Sequence, residues 1–246
     1  MKLPAGPGAP APDAVEALAR ATAVCRGIRT LTAEVAASGK VSGQRFRAKL
    51  LVGVAAPASV RIEAVAPFGA PMFILAARDD DTILLLPRDE RVLQHGKSED
   101  VLDAVAGVPL SAGDLHTVLT GCGPAVTQPD GRELGADWRL ITDVSGDAFY
   151  LHRAGAGQPW QLAAFVGRAW RVEYHDPLNG VPRTMRITSV QGSPGSAASF
   201  DLRLALSQVE TNVPLGADVF RVDIPRTAQP ITLDELRHAR PGVREN

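Results

Sequence analysis

The residues that could carry out catalysis or bind a metal ion are few and lie far apart in this sequence. Enzymes often place a nucleophile, a base or a metal ligand in short motifs, because these groups must meet at bonding distance. The chain has no G-x-S-x-G, H-E-x-x-H, C-x-x-C, P-loop or strand-linked G-x-G-x-x-G motif. We therefore expect no enzyme activity, no metal site and no cofactor. The 5 histidines are scattered: His95, His116, His152, His175 and His238.

Two smaller groups of residues could also bind or react. Asp79, Asp80 and Asp81 could bind calcium, which prefers carboxylate oxygens, but an acidic triplet between apolar runs is more typical of a solvent-exposed hairpin turn. The cysteines, Cys25 and Cys122, are too few for a disulfide scaffold and lack the spacing of a metal site. They could form one disulfide in an oxidising compartment.

Composition and charge narrow the class of protein. The chain has 246 residues, of which 45% are hydrophobic and 22% charged. This length suits one large domain or two small ones. The formal net charge is −1, so no global field attracts nucleic acid or an anionic membrane. No apolar run approaches the roughly 20 residues of a membrane-spanning helix.

The elements that must position any functional residue are mostly antiparallel strands. Apolar and polar residues alternate over 31–37, 45–54 and 60–64, as on strands with one buried and one solvated face. A second series of strands is predicted from 138 to 224. The last strand of that series is expected over 219–224.

Two runs within the first series, 72–77 and 82–86, are apolar throughout. Strands of this kind are covered on both faces, so another element must lie on their far side. Short amphipathic helices beginning at Ser98 and Ser111 are the candidates, since helices of this length are stable only when docked. A further helix is predicted over 13–27, with Cys25 on its apolar face.

These elements predict a mainly β protein of the α+β class, with short helices inserted between two strand series. We expect a single domain over 13–226. The Pro/Ala/Gly-rich residues 1–12 are predicted to form a disordered tether. Residues 227–246 are predicted to form a short C-terminal helix and a frayed tail.

One turn differs from the others because it carries a large aromatic residue. Phe68 lies between Pro67 and Gly69, where small or polar residues are usual. Burying a Phe side chain contributes roughly 1.5–3 kcal/mol, so an exposed one requires a reason. Either Phe68 folds back onto the protein, which the residues alone favour, or it contacts something apolar outside the protein.

A curved sheet of this size with an apolar concave face could hold an apolar ligand. The alternative is that the face is filled by packed core. The residues alone leave both interpretations open.

Several short motifs, in order, resemble the LolB family of outer-membrane lipoprotein receptors. They are the strand start Ile28-Arg29-Thr30-Leu31, the turn Ala66-Pro67-Phe68-Gly69, the helix junction Val105-Ala106-Gly107-Val108-Pro109-Leu110 and the helix end Val118-Leu119-Thr120-Gly121. The resemblance covers roughly residues 15–122 in order and spacing. From 137 to 209 only the strand rhythm is similar. Phe68 stands where the family has leucine.

The resemblance implies an unclosed antiparallel β-barrel, or half-barrel, with a helical lid and an apolar cavity for acyl chains. It implies an outer-membrane lipoprotein on the periplasmic face, held by an N-terminal lipid anchor that the given chain lacks. Its partners would be acylated lipoproteins or another lipid, and a LolA-like periplasmic carrier; we expect a monomer.

The resemblance also implies roles for particular residues. It reverses the expectation for Phe68, which together with Pro67 and Gly69 would form an exposed membrane-insertion loop. A periplasmic location makes us expect a disulfide between Cys25 and Cys122. We expect the cavity to be lined by Val35, Phe46, Leu50, Ile62, Met72, Ile74, Leu84 and Trp138, with Leu115 and Leu119 on the lid.

Three other functions stay open at this point. A periplasmic envelope-assembly module could use the same half-barrel for another lipid or a protein partner. An enzyme on this fold could use His116 or His175 with a nearby Asp. A purely structural surface protein would have a filled core.

Overall fold

The structure, a computed structural model, describes residues 2–66, 68–79, 81–190 and 199–239. In these ranges 45% of the residues are in strands, which form one sheet of 15 strands that does not close on itself. The first series of strands is β1 (Ala9–Pro10), β2 (Thr30–Val41), β3 (Gln44–Ala55), β4 (Ser59–Val65), β5 (Phe73–Arg78), β6 (Asp81–Leu86) and β7 (Arg91–Gly96). The second is β8 (Asp130–Glu133), β9 (Trp138–Thr142), β10 (Ala148–His152), β11 (Gln161–Val166), β12 (Trp170–Leu178), β13 (Val181–Ser189), β14 (Phe200–Thr211) and β15 (Gln229–Pro230).

The α-helices lie between β1 and β2, between β7 and β8, and after β15. They are α1 (Ala14–Ala21), α2 (Ala23–Arg26), α3 (Ser98–Ala106), α4 (Ala112–Thr120) and α5 (Leu233–Ala239), with a 3-10 helix at Ala217–Phe220. None of the helices in the described ranges has the length and apolar character needed to cross a membrane.

The two strand series join through one long antiparallel pair. Strands β2–β7 and β8–β14 each follow one another as neighbours, and β14 pairs with β2 from Phe200 opposite Val41 to Thr211 opposite Leu31. Gly39 permits this pairing, because a Cβ atom there would lie 2.0 Å from the Asp201 carbonyl oxygen. The prediction of an unclosed antiparallel half-barrel is confirmed.

Period-two alternation determines which face of the sheet is buried. Ala33, Val52, Ile62, Leu75 and Leu84 are successive partners across five strands. All five are buried, and they lie on the concave face. The polar residues between them point to the convex face, as expected for an antiparallel sheet with one dry side.

The helices cover the concave face. Helix α1 contacts β8–β11, and α4 contacts β3, β4 and β13. Leu115, Val118 and Leu119 of α4 belong to the same buried cluster as the inward residues of the sheet. The predicted helical lid is thus present. Helix α3 contacts β6, but its buried apolar residues belong to the same cluster as the inward Leu84. The prediction that these helices cover the far side of β5 and β6 is therefore wrong.

The convex side of β3–β5 is instead covered by the segment after β14. A Cβ atom on Gly53 would lie 4.0 Å from Leu215. The Arg61 guanidinium donates to the carbonyl oxygens of Val219, at 3.2 Å, and Arg221, at 2.7 Å. The Val219 and Arg221 amides donate to the Gly216 and Asp218 carbonyl oxygens, at 3.0 and 3.1 Å, so the backbone forms a 3-10 turn and does not pair with a strand there. The predicted final strand over 219–224 is wrong.

The first helix is interrupted where the sequence predicted one helix over 13–27. It consists of α1 and α2, separated at Thr22. The buried Thr22 hydroxyl donates to the Leu18 carbonyl oxygen at 2.8 Å. Back-bonding of this kind bends helices, which explains the break. Cys25 remains on the buried side.

Both edges of the sheet are protected by two-residue strands. Ala9–Pro10 pairs with Arg132 and Glu133 of β8, and Ala11 is buried. Residues 9–11 therefore dock on the domain, where the sequence predicted a disordered tether; a proline is tolerated on an edge strand. At the other edge β15 pairs in parallel with β7, and Leu236 of α5 is fully buried. The predicted tail at 240–246 lies outside the described residues.

A disulfide ties the first helical segment to the lid. The Cys25 and Cys122 sulfur atoms are 2.07 Å apart, and the two positions differ by 97 in the sequence. The bridge links α2 to the end of α4. Gly121, with a φ of +79°, allows the close approach here, since a Cβ atom would lie 2.7 Å from Cδ of Pro182. The lid is thus fastened at one end of the half-barrel.

Candidate functional site

The end of the half-barrel opposite the disulfide carries an exposed apolar loop. Antiparallel strands bring the β2–β3 turn, the loop over 66–72 and the β6–β7 turn to this same end. The Phe68 side chain is 88% exposed. Val65 and Met72, on either side of the loop, are 36% and 38% exposed. Pro67 lies outside the described residues.

The backbone of this loop is held in place while the Phe68 ring is free of the protein. Arg88, in the β6–β7 turn, donates from Nη2 to the Phe68 carbonyl oxygen at 2.7 Å and from Nε to the Ala70 carbonyl oxygen at 3.2 Å. The Met72 amide donates to the Ala64 carbonyl oxygen at 2.9 Å. Gly69 takes the left-handed conformation that the turn needs, with a φ of +78°.

Beside the loop, the concave face is only half covered. Phe46, Leu50, Phe73 and Leu204 are apolar, point inward and are partly buried against the core. We call these four residues the apolar mouth. Leu50 pairs with Ala64, and Ala64 pairs with Phe73, so the mouth adjoins the strands that carry the Phe68 loop.

The predicted cavity wall divides between the two ends of the half-barrel. Phe46 and Leu50 lie in the apolar mouth. The other inward residues are buried in the core beneath the lid, each less than a tenth exposed: Val35, Ile62, Leu84, Leu115 and Leu119. The concave face is thus filled at the lid end and half open at the mouth end.

Two residues near the loop that were predicted to line the cavity do not face inward. Ile74 pairs with Glu63 and Leu85, which places it on the convex face. Phe73 takes the inward position instead, because it pairs with the buried Ala64. Met72 precedes β5 and is 38% exposed. An apolar run without alternation gives no information about which residues face inward.

Trp138 is the third predicted wall residue that does not face inward. It packs against His152 of the neighbouring strand, with ring centroids 4.5 Å apart and the ring planes tilted by 44°. The inward positions of β9 are Arg139 and Ile141. Arg139 can be buried there because Asp13 lies 3.1 Å away and its guanidinium lies over the Trp160 ring. The prediction for Trp138 assumed that apolar residues face inward, and the inward, charged Arg139 does not follow that pattern.

The histidines that have a carboxylate partner lie in different parts of the fold. His95 Nδ1 lies 3.1 Å from Asp81, and His175 Nε2 lies 3.9 Å from Glu173. Burial lowers the pKa of His116, on α4. Burial also raises the pKa of the Tyr174 hydroxyl, which keeps it protonated. Across the described ranges, no group of three or more His, Cys, Asp or Glu side chains could hold a metal ion.

Sequence reasoning missed Arg88. It lies 18 and 20 residues beyond the carbonyls that it holds. The stretch Pro87-Arg88-Asp89-Glu90 has the composition of an ordinary polar hairpin turn. Only the pairing of β5 with β6 and of β6 with β7 brings this turn beside the Phe68 loop.

Together, the fold and the site define an open half-barrel protein with a lid on its concave face and an exposed apolar loop at its mouth. No family model matches the sequence, and no curated protein matches it. Solved structures do share the architecture.

One is a DUF1329 family protein from Desulfovibrio piger, with 12% identity, a TM-score of 0.50, and coverage of 85% of this chain and 97% of that chain. A LolA superfamily protein from Nitrosomonas europaea, with 10% identity, has the same TM-score and the same coverage of the two chains. The chain has a LolA/LolB-like fold.

Proposed function

We propose that this protein receives acyl chains of lipoproteins, or of a similar lipid, in its apolar mouth and helps to place them in the outer membrane from the periplasmic face. The observation that carries the proposal is the Phe68 loop. Its aromatic ring is 88% exposed, its backbone is fixed by Arg88, and it adjoins the half-open end of an otherwise covered concave face.

The energetics of acyl transfer agree with such a site. Each CH₂ group removed from water contributes about 0.8 kcal/mol, so a C16 chain costs on the order of 12 kcal/mol to carry bare through water. A receptor must shield the chain yet release it to a bilayer. Uptake and release of this kind need apolar surface and no catalytic group, so we propose that the protein is not an enzyme.

The proposed delivery step uses the loop formed by Pro67, Phe68 and Gly69. Moving the Phe68 side chain from water into the acyl region of a bilayer would be favourable by roughly 1.5–3 kcal/mol. A bilayer is the large apolar phase that an exposed, rigidly held aromatic can enter. We propose a periplasmic LolA-like carrier as donor of the cargo, a lipid anchor as tether to the outer membrane, and a monomer as the acting species.

The first test is a titration of the purified chain with a fluorescent long-chain fatty acid, competed by a lipoprotein acyl peptide. We expect saturable binding that the peptide displaces. Absence of binding would contradict an acyl site. Binding of the fatty acid without displacement by the peptide would instead favour an envelope-assembly module for another lipid.

The second test separates binding from delivery. Phe68→Glu should retain fatty-acid binding and lose transfer of the acyl peptide to liposomes, because the loop would carry a charge into the bilayer. Leu178→Glu is the matched control, since Leu178 is 54% exposed in the β12–β13 hairpin at the opposite end. Equal transfer by both variants would contradict the role of the loop.

A further inference from the structure

The convex face of β14, β2 and β3 carries four exposed cations near the mouth end. We call Lys40, Arg45, Arg47 and Arg203 the cationic patch. Lys40 lies directly opposite Arg45. Ser38 pairs with Arg47 on one side and with Arg203 on the other. Adjacent strands are about 4.8 Å apart, so the four side chains form one continuous surface.

Cations next to the patch form ion pairs with carboxylates, whereas the patch residues form none in the described part of the chain. Lys49 lies 2.9 Å from Glu34, and Arg186 lies 2.7 Å from Asp201. Within the described ranges, none of the four patch residues lies within ion-pair distance of a carboxylate. Like charges directly opposite on neighbouring strands are destabilising, and Lys40 lies opposite Arg45. Lys40 also lies opposite Asp201 of β14, and its charge helps to lower the pKa of that carboxyl. The positive charge available to an outside anion is therefore carried mainly by Arg45, Arg47 and Arg203.

The patch lies at the same end as the Phe68 loop. Lys49 pairs with Val65, the last residue of β4 before the loop. Arg45 and Arg47 precede Lys49 on β3, on the part of the strand that extends beyond the end of β4. When the loop meets a surface, these arginines are therefore close to the same surface.

We propose that the cationic patch binds the phosphate groups of anionic phospholipids and so orients the mouth against the bilayer. The inference rests on the proposed function in one respect, that the Phe68 loop meets a membrane. The overall charge of −1 gives no general attraction to such a surface, so the local arrangement must supply it.

A bilayer fits the patch better than a free phosphate ion does. Arg45, Arg47 and Arg203 stand on an open sheet face, and none of the three lines a groove among the described residues. A groove of about 730 Å³ lies beside them on the same face, and Lys40 lines it. Its other lining cations include Arg186, which is already paired with Asp201. An extended array of phosphates matches the extended array of unpaired cations.

The experiment is co-sedimentation of the full chain with vesicles of phosphatidylcholine, alone or mixed with phosphatidylglycerol. We expect the wild type to bind the anionic vesicles more tightly and to lose that difference as salt is raised. Arg45→Gln/Arg47→Gln should weaken binding to anionic vesicles roughly 25-fold, since each removed cation near the surface accounts for about a fivefold factor. Binding of this variant to phosphatidylcholine vesicles should be unchanged.

Arg26→Gln/Lys97→Gln is the matched control, because both residues are exposed and lie at the opposite end of the half-barrel. It should bind anionic vesicles as the wild type does. Equal losses in both double variants would show a general charge effect and overturn the proposal, as would wild-type binding by Arg45→Gln/Arg47→Gln. Competition by inorganic phosphate at constant ionic strength would point to a discrete phosphate site and also overturn it.

Failure of this proposal is distinguishable from failure of the proposed function. Phe68→Glu tests the loop through binding to phosphatidylcholine vesicles, where the patch contributes nothing. If Phe68→Glu loses that binding while the Arg45/Arg47 variant behaves as wild type, the loop meets the membrane and the patch does not.

Discussion

At the scale of single residues, Arg88 fixes the backbone of the Phe68 loop without contributing to its apolar surface. Its guanidinium holds two carbonyl oxygens of the loop, while the ring between them stays exposed. Arg88→Gln removes one or both bonds, because the shorter amide cannot reach both carbonyls. We expect acyl transfer to liposomes to fall and amide exchange over 68–72 to accelerate, with global stability reduced by less than about 1 kcal/mol.

Arg132→Gln is the control for this prediction. Arg132 is also exposed and bonds Asp130 at 2.9 Å, but on β8, away from the loop. It should leave both transfer and loop exchange as in the wild type. Unchanged exchange over 68–72 in Arg88→Gln would mean that the loop holds its conformation without the arginine.

The lowered pKa of His116 leads us to expect that the folded protein is less stable in mild acid. Burial lowers its pKa, the Arg29 charge acts in the same direction, and a hydrogen bond with the Ile28 backbone opposes both. Below about pH 6.5 the unfolded chain binds a proton at this histidine, whereas the folded chain binds it only at lower pH. The contribution of neutral His116 is therefore fully present above that pH and is lost as the pH falls.

Urea unfolding at about pH 7.5 and about pH 5.5 measures this effect. The wild type should lose more free energy of unfolding between the two values than His116→Gln, which has no proton to gain. An equal loss in both proteins would place the acid sensitivity elsewhere.

At the scale of elements, the lid depends on the disulfide. The Cys25–Cys122 bridge closes a segment of almost 100 residues between α2 and the end of α4. Cys25→Ala/Cys122→Ala should lower the free energy of unfolding by about 4 kcal/mol in the chain-entropy model, measured by urea unfolding without reductant. Reduced wild type should show a similar loss. A difference of less than about 1 kcal/mol would show that packing alone fixes the lid.

The elements also show what the sequence could and could not predict. Alternation identified the strands and the inward residues wherever polar residues marked the other face, as at Ile62. It failed at Ile74, within an apolar run, and at Trp138, where the buried Arg139 reverses the pattern. Residues alone favoured a folded-back Phe68, because they carry no information about a partner outside the chain. The exposed position came from the resemblance, and Arg88 required the strand order.

At the scale of the whole molecule, the half-barrel has two unlike ends. One end is closed by the lid helices and the disulfide, and its inward residues form ordinary packed core. The other end combines the apolar mouth, the Phe68 loop and the cationic patch. A rigid closed end and a half-open end suit a protein that must take up and release an apolar chain, because the open end can exchange ligand without unfolding the core.

This division predicts where a bound acyl chain stabilises the protein. A ligand that binds only the native state raises its stability by about 2.7 kcal/mol at a concentration of 100 times Kd, so a long-chain fatty acid should raise the unfolding temperature of the wild type. Leu50→Gln should reduce or abolish the increase, because Leu50 lies in the apolar mouth.

Leu51→Gln is the control for this prediction. Leu51 is the next residue on β3, lies on the convex face and is 42% exposed. It should show the wild-type increase. If Leu50→Gln keeps the full increase while a buried substitution beneath the lid, such as Ile62→Ala, abolishes it, the chain occupies the closed end, and the lid must open to admit it.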